Sequence, residues 1–301
     1  MGIRYKLLLA FFFVTTFSIG LIATLAVRNA TQTIQSEVEN TLNIIADEKV
    51  DSIHRYILEK EKELSVLAKL PTIRTALTEL APAFIQGINS QQYQLKEKHL
   101  RPALTALKAQ FNSYDLFLIT PEGDIAFTVI HESDFGTNLI TGPYKQTLLA
   151  QSFLQAATLL ETRVSAFDTY LPSQWQEQNQ EIPSRNQELS LKHGKEEHSA
   201  FIAAPVFNND KFLGVVAIQL NSNDYFHLAQ DFTGLKRTGE IVIGRKDSRG
   251  ALIIAPLRNI PNAEFSRHIP FGTETATSLQ KALLGEKGIG ISQDYNNNTV
   301  I

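Results

Sequence analysis

The chain has 301 residues, with 28 Lys and Arg against 31 Asp and Glu, a net charge of −3 and no cysteine. That balance excludes a basic nucleic-acid-binding surface, and the missing thiols exclude disulfides, cysteine-ligated metals and cysteine nucleophiles. The length is enough for two domains with cores of their own.

Residues 7–27 (LLLAFFFVTTFSIGLIATLAV) contain no charge, Pro, Asn or Gln, and Gly20 is their only helix weakener. As a helix this stretch spans about 30 Å, the thickness of a bilayer's hydrocarbon core. A cleaved signal peptide would also begin with basic residues such as Arg4 and Lys6, but its apolar core runs only about 7–15 residues. The segment is therefore read as an uncleaved membrane helix. Arg4 and Lys6 precede it, only Arg28 is basic after it until Lys49, and Glu37 and Glu39 are acidic. That asymmetry puts residues 1–6 in the cytoplasm and residues 29–301 outside it, in the periplasm or the extracellular space. Without Arg4, Lys6 and Arg28, 25 basic residues remain against 31 acidic ones, so the outer part carries a net −6.

Residues 28–70 lack Gly and Pro and read as one long stalk helix. Ile34, Val38, Leu42, Ile45, Ile53, Tyr56, Leu64 and Leu67 form a stripe with an 11-residue period, and Lys49 and Lys60 fill its two remaining places. At 3.67 residues per turn the stripe stays on one face of a nearly straight helix. It suits either packing on the chain's own domain or pairing with a second copy, and a homodimer through the stalk is the expectation. Residues 71–112 read as further helix, punctuated by Pro71 and Pro82 and interrupted by the polar residues 89–98. Leu100, Leu104, Leu107 and Phe111 form its amphipathic end.

From Tyr114 the period becomes that of strands. Residues 114–120 and 125–130 flank a Pro-Glu-Gly-Asp turn, and Pro143 suits the first turn of a helix running to about residue 161. Residues 164–170 read as a third strand, and residues 200–206 and 212–220 as a hairpin. The order gives a five-stranded antiparallel sheet with helices against it, a PAS-like α+β unit. Between the third and fourth strands, residues 172–198 are rich in Gln, Glu and Asn and contain Trp175. Such a long loop is either a solvated insertion or a lid. A fainter repeat follows: a helix over 224–231, strands over 238–244 and 251–256, and a helix capped by Thr273 and ended by Gly285. A strand over 288–294 and another beginning at Thr299 complete it. The second sheet is expected to be incomplete and the chain to be a fragment or a short form. The expected organisation is 1–6 cytoplasmic, 7–27 membrane helix, 28–70 stalk, 71–232 first module and 233–301 second module.

Several phrases of the outer part resemble the double Cache ectodomains of bacterial membrane sensors. They are residues 114–128 (YDLFLITPEGDIAFT), 132–144 (ESDFGTNLITGPY), 167–173 (FDTYLPS), 200–220 (AFIAAPVFNNDKFLGVVAIQL), 233–239 (TGLKRTG) and 282–295 (ALLGEKGIGISQDY). The resemblance implies a bacterial inner-membrane receptor with a membrane-distal and a membrane-proximal PAS-like module. It also implies a cytoplasmic output of histidine kinase, cyclase or chemotaxis type, outside residues 1–301. The Arg-x-Trp-Tyr pattern of the amino-acid-sensing branch is absent, so an amino acid ligand has no support. A small solute would sit in the distal module among Phe135, Tyr144, Phe167, Asp168, Tyr170, Phe201 and Gln219. Asp168 and Gln219 are the informative members, because polar groups inside an apolar sheet need partners.

No catalytic motif is present: GxSxG, HExxH and P-loop patterns are all missing. His193 and His198 near Glu196 and Glu197 read as a solvated charged loop, and His131 and His227 are isolated. No catalysis, metal or cofactor is expected. The alternative to solute sensing is a protein-binding or structural membrane-anchored ectodomain.

Overall fold

The computed structural model describes residues 2–170, 172 and 198–301, with Lys6 and Thr169 described by their backbone alone. The membrane and stalk segments form one unbroken helix, α1 (Ile3–Leu67), of 65 residues. Over residues 7–27 it is apolar on every side, and no other described part of the chain covers it; Phe11 and Phe13 are 71% and 73% exposed. Three of its four hydroxyls are satisfied within the helix: Thr15 donates to the Phe11 carbonyl at 2.9 Å, Ser18 to Val14 at 2.8 Å and Thr24 to Gly20 at 2.7 Å. An apolar surface whose hydroxyls mostly bond within the helix suits hydrocarbon. The helix is long and apolar enough to cross a membrane.

The helix ends three residues before the expected boundary, because Leu70 precedes a proline and takes the extended conformation. Pro71 then opens α2 (Pro71–Ile85). The expected break at Pro82 does not occur, and Pro102 likewise lies inside α3 (Gln91–Gln110). Helix is interrupted at residues 86–90, so only Asn89 and Ser90 of the polar stretch lie in the break and its remainder begins α3, where the Ser90 hydroxyl accepts from the Tyr93 amide at 3.2 Å.

Five strands form the antiparallel sheet the sequence implies. They are β1 (Ser113–Ile119), β2 (Ile125–Thr128), β3 (Arg163–Val164), β6 (Phe201–Asn208) and β7 (Lys211–Leu220), in the order β2-β1-β7-β6-β3. Between β2 and β3, α4 (Leu148–Leu159) starts later than expected: Thr147 caps it and Pro143 lies in the preceding turn. The expected third strand is split. Arg163 and Val164 pair with β6, whereas β4 (Asp168–Thr169) leaves the sheet and pairs with β5 (His198–Ser199) as a separate ribbon. Trp175, His193, Glu196, Glu197 and the expected lid lie outside the described residues, apart from Pro172 and His198 at its ends.

Alternation along the strands gives the sheet two buried faces. Leu116, Leu118, Ile202, Ala204, Val216 and Ile218 face α2, α3 and the end of α1. Phe117, Ile119, Phe201, Ala203, Val215 and Ala217 face α4. The stalk stripe is spent largely on the chain itself: Leu64 and Leu67 are fully buried, and Ile53 and Tyr56 pack on the first core.

The second unit begins after α5 (Ser222–Gln230). Its sheet has β8 (Gly244–Asp247), β9 (Gly250–Ile253) and β10 (His268–Ile269) in the order β10-β9-β8. The first two strands lie later and earlier, respectively, than the sequence pattern suggests, and β10 was not anticipated. The helix α6 (Thr277–Leu283) and the pair β11 (Ser292–Gln293) and β12 (Thr299–Val300) follow. β8 has a neighbour on one side only among the described residues. The unit has a small core of its own around Ile253, Leu257, Ile269 and Tyr295. It meets α1 nearer the membrane helix than the first unit does: Lys49 pairs with Asp231, and Asp47 with Lys287 at 2.6 Å.

Candidate functional site

The α4-facing side of the first sheet carries polar groups at one end of an otherwise apolar surface. Asp115 and Gln219 are register partners on β1 and β7 and share that face with Phe117 and Ala217. Phe201 on β6 pairs with Gln219. The Tyr170 ring meets Phe201 edge-on at 4.7 Å, and its hydroxyl donates to Asp134 Oδ2 at 2.5 Å. The Asp134 charge in turn acts on Asp115. Asp115, Gln219, Phe201, Tyr170 and Asp134 thus form one group, each at least nine-tenths buried. Tyr144 lies beside it, with its ring 6.4 Å from Tyr170 and its hydroxyl bonded to Ser133 at 2.6 Å and to the Pro172 carbonyl at 3.3 Å.

The hydrogen bonding is incomplete in one sense. Asp115 Oδ1 accepts from the amides of Leu116, Val129 and Ile130 at 2.7, 2.9 and 3.1 Å, holding the end of β2 against β1, but Oδ2 has no partner. Asp134 Oδ1 has no well-formed bond, although the nearby amides of Asp134 and Phe135 favour its charge. The Gln219 amide nitrogen donates to Ser199 Oγ at 2.6 Å and leaves Oε1 unpartnered. All three free atoms are acceptors. A buried acceptor without a donor costs roughly 1–3 kcal/mol, more when charged.

Burial pushes the Asp115 carboxyl up to about 7, with the Asp134 charge adding and the three amides opposing. Burial likewise raises Asp134 to about 6, against the Tyr170 hydrogen bond. Tyr170 is raised by burial first and then by the adjacent carboxylate. Among the described residues no Lys or Arg pairs with either Asp. The arrangement can hold protons or a donor-bearing cation.

Of the residues singled out from sequence, Tyr144, Tyr170, Phe201 and Gln219 come together here. Phe135 stacks on His131 at 4.2 Å, against the opposite core. Phe167 also packs in that opposite core, stacked on Tyr225 at 4.2 Å. Asp168 does not face the cluster's apolar floor; it pairs with Arg245 of the second unit at 2.9 Å. His198, expected in a solvated loop, stacks on Phe265 at 3.9 Å. Asp115, Asp134 and Ser199 were missed. For Asp115 the signal was present, since it shares the parity of Phe117 and Ile119 in β1.

An open groove of about 790 Å³ lies elsewhere, at the β3 edge of the sheet, and is lined by Lys62, Lys69, Arg74, Arg163, Glu61 and Glu161 among others. Arg74 Nε and Arg163 Nε are buried there without a partner, but the groove is open and carries Glu61 and Glu161 beside its basic residues. The buried acceptors beneath α4 are the more informative feature.

No family model matches the chain, and no curated protein matches it. Similar solved structures include the V. cholerae histidine kinase DctB sensor domain, at 13% identity over 69% of this chain and 64% of that one, with a TM-score of 0.41. The ligand-binding domain of the Campylobacter jejuni chemoreceptor Tlp3, in complex with 4-methylisoleucine, is similar at 10% identity over 62% and 58%, with a TM-score of 0.37. The E. coli DcuS sensor domain is similar at 14% identity over 61% and 99%, with a TM-score of 0.35. The chain thus spans less than two thirds of the first two. Nothing about the site is carried over from structures at these scores.

Proposed function

We propose that this chain is the extracytoplasmic ligand-sensing region of a bacterial transmembrane signalling receptor, with a small solute bound beneath α4 in the first module. The observation that carries the reading is the group of buried, unpartnered acceptors on the α4 face. Folding leaves such groups unsatisfied only at a cost, and a ligand that supplies donors offsets that cost. Residues 1–6 are cytoplasmic and residues 29–301 periplasmic or extracellular in this reading, supported by the basic residues before the span.

A route for the signal follows from the β4–β5 ribbon. Tyr170 and Ser199 touch the acceptor cluster, while Asp168 and His198 of the same ribbon hold Arg245 and Phe265 of the second unit. The second unit reaches α1 through Asp231 and Lys287, above the membrane segment. Ligand binding would tighten the ribbon, shift the second unit and so move α1 by a small piston or rotation toward a cytoplasmic output. It can do so only to the extent that it binds the two states unequally. A homodimer through the stalk belongs to the proposal. Because most of the stripe faces the chain's own units, a partner helix would use its exposed first member, Ile34, together with the exposed Ile44, Leu58 and Val66 outside it.

The test is a thermal-shift panel on the full chain in micelles, against amino acids, organic acids, amines and sugars. A ligand at 100 times its Kd adds about 2.7 kcal/mol, a rise in Tm of about 5 °C or more. The rise should vanish in Gln219→Leu. A folded sample that responds to no compound would favour a protein-binding ectodomain instead.

A further inference from the structure

We infer that the solute is an organic cation carrying several N–H donors, a primary amine or guanidinium without a carboxylate, seated on Asp115 Oδ2, Asp134 Oδ1 and Gln219 Oε1. This inference rests on the sensing reading above and specifies its chemistry.

The three atoms share one requirement. Each is buried, each accepts when the carboxyls are ionised, and Asp115 and Gln219 are cross-strand register partners on neighbouring strands. Gln219 adds a third acceptor besides the carboxylates: with its nitrogen oriented to donate to Ser199, its amide oxygen is the atom left for a ligand. A neutral hydroxyl-bearing solute could fill one acceptor and would leave two carboxylates repelling each other across it. An ammonium brings three donors and a charge, enough for the three unpartnered acceptors, and a guanidinium brings five donors in a plane. Phe201 and Tyr170 form the aromatic wall beside them and suit a cation's stem or its charge. A zwitterion fits poorly, because no described Lys or Arg pairs with the acidic residues of the cluster to meet its carboxylate.

Binding of such a cation has a chemical signature. The ammonium interacts with ionised carboxylates, so the pair must lose whatever protons it holds, and protons appear in solution as the complex forms. Asp115→Asn is the informative variant. Its remaining carbonyl oxygen can still accept from the amides of Leu116, Val129 and Ile130, while its new N–H donors occupy the position of the cation.

The experiment titrates the full chain in micelles with putrescine and agmatine by calorimetry, at pH 6.5 and in two buffers of different ionisation enthalpy. Tetramethylammonium, succinate and glycine serve as comparison solutes. The inference predicts binding of a donor-bearing cation with net proton release, and at least tenfold weaker binding of tetramethylammonium, which has charge but no N–H. It also predicts at least tenfold weaker binding in Asp115→Asn and Asp134→Asn, both folded by circular dichroism. Binding of succinate or glycine in preference to the amines, lost in Gln219→Leu, would overturn the inference and leave the sensing reading intact. If nothing binds from pH 5 to 8 and Asp115→Asn is only more stable, the cluster closes on itself through a shared proton or a reversed Gln219 amide. That outcome would overturn both.

Discussion

Asp115 makes the stability of the unliganded protein depend on pH in a direction opposite to that of a salt-bridged carboxylate. Its folded-state pKa is pushed up to about 7, chiefly by burial, against an ordinary value of 3.8. Between those values the folded protein holds a proton that the unfolded chain has released, so stability falls as pH rises from about 4 to about 7. A displacement of this size corresponds to roughly 4 kcal/mol above pH 7, an upper figure because a charged interior relaxes. Asp134, raised to about 6, acts in the same direction and is coupled to Asp115 by charge. The two titrate as a pair, with Tyr170 and Tyr144 beside Asp134 and the Glu132 charge acting on both tyrosines. Asp115→Asn removes its own share and relieves part of its neighbour's, while the amide bonds at the end of β2 persist. Denaturant unfolding of wild type and variant, followed by near-ultraviolet circular dichroism at pH 5 and pH 8, measures both effects. Wild type should lose several kcal/mol between the two, and the variant should lose much less and be the more stable at pH 8. Parallel pH profiles for the two proteins would refute the reasoning.

Other consequences are simpler. Leu64→Ala and Leu67→Ala, at fully buried places where α1 meets the first core, should each cost about 2–5 kcal/mol in unfolding experiments. The Asp168–Arg245 pair is partly exposed, 37% and 27% by side chain, so a double-mutant cycle on stability should give about 1 kcal/mol or less. If the pair carries the signal between units, the same cycle on ligand-induced protection of the second unit should show clear coupling. Gly214 has a φ of +135°, and a methyl there would lie 2.2 Å from the Ile119 carbonyl oxygen. Gly214→Ala should therefore cost several kcal/mol, read as a lowered denaturation midpoint.

Much of the architecture was legible because it rests on local periodicity. The 11-residue stripe from Ile34 to Leu67 marked the face of α1 that packs, except at Ile34, which is exposed, and alternation in β1, β6 and β7 marked the two faces of the sheet. Where tertiary packing overrides local preference, the sequence misled. Pro82 and Pro102 sit inside helices whose buried faces, with Leu77, Leu80 and Leu104, hold them in place. The β4–β5 ribbon was missed because its partners are separated by the long polar segment and pair over only two residues. Asp168 illustrates the limit for the site. It looked like a polar residue awaiting a ligand, yet its partner Arg245 lies in the other unit, and nothing near Asp168 in the chain announces it. Asp134 lies in a loop without periodicity, so only the fold brings it to Asp115.

The central claim, that the acceptor cluster beneath α4 is the ligand site, is tested most directly by hydrogen–deuterium exchange of the full chain with and without the strongest-binding solute. The account predicts slowed exchange in β1, β7 and the β4–β5 ribbon, extending into β8 and β9 and absent in Asp115→Asn. Protection confined to the open groove of Lys62, Arg74 and Arg163, with the strands beneath α4 unchanged, would contradict it.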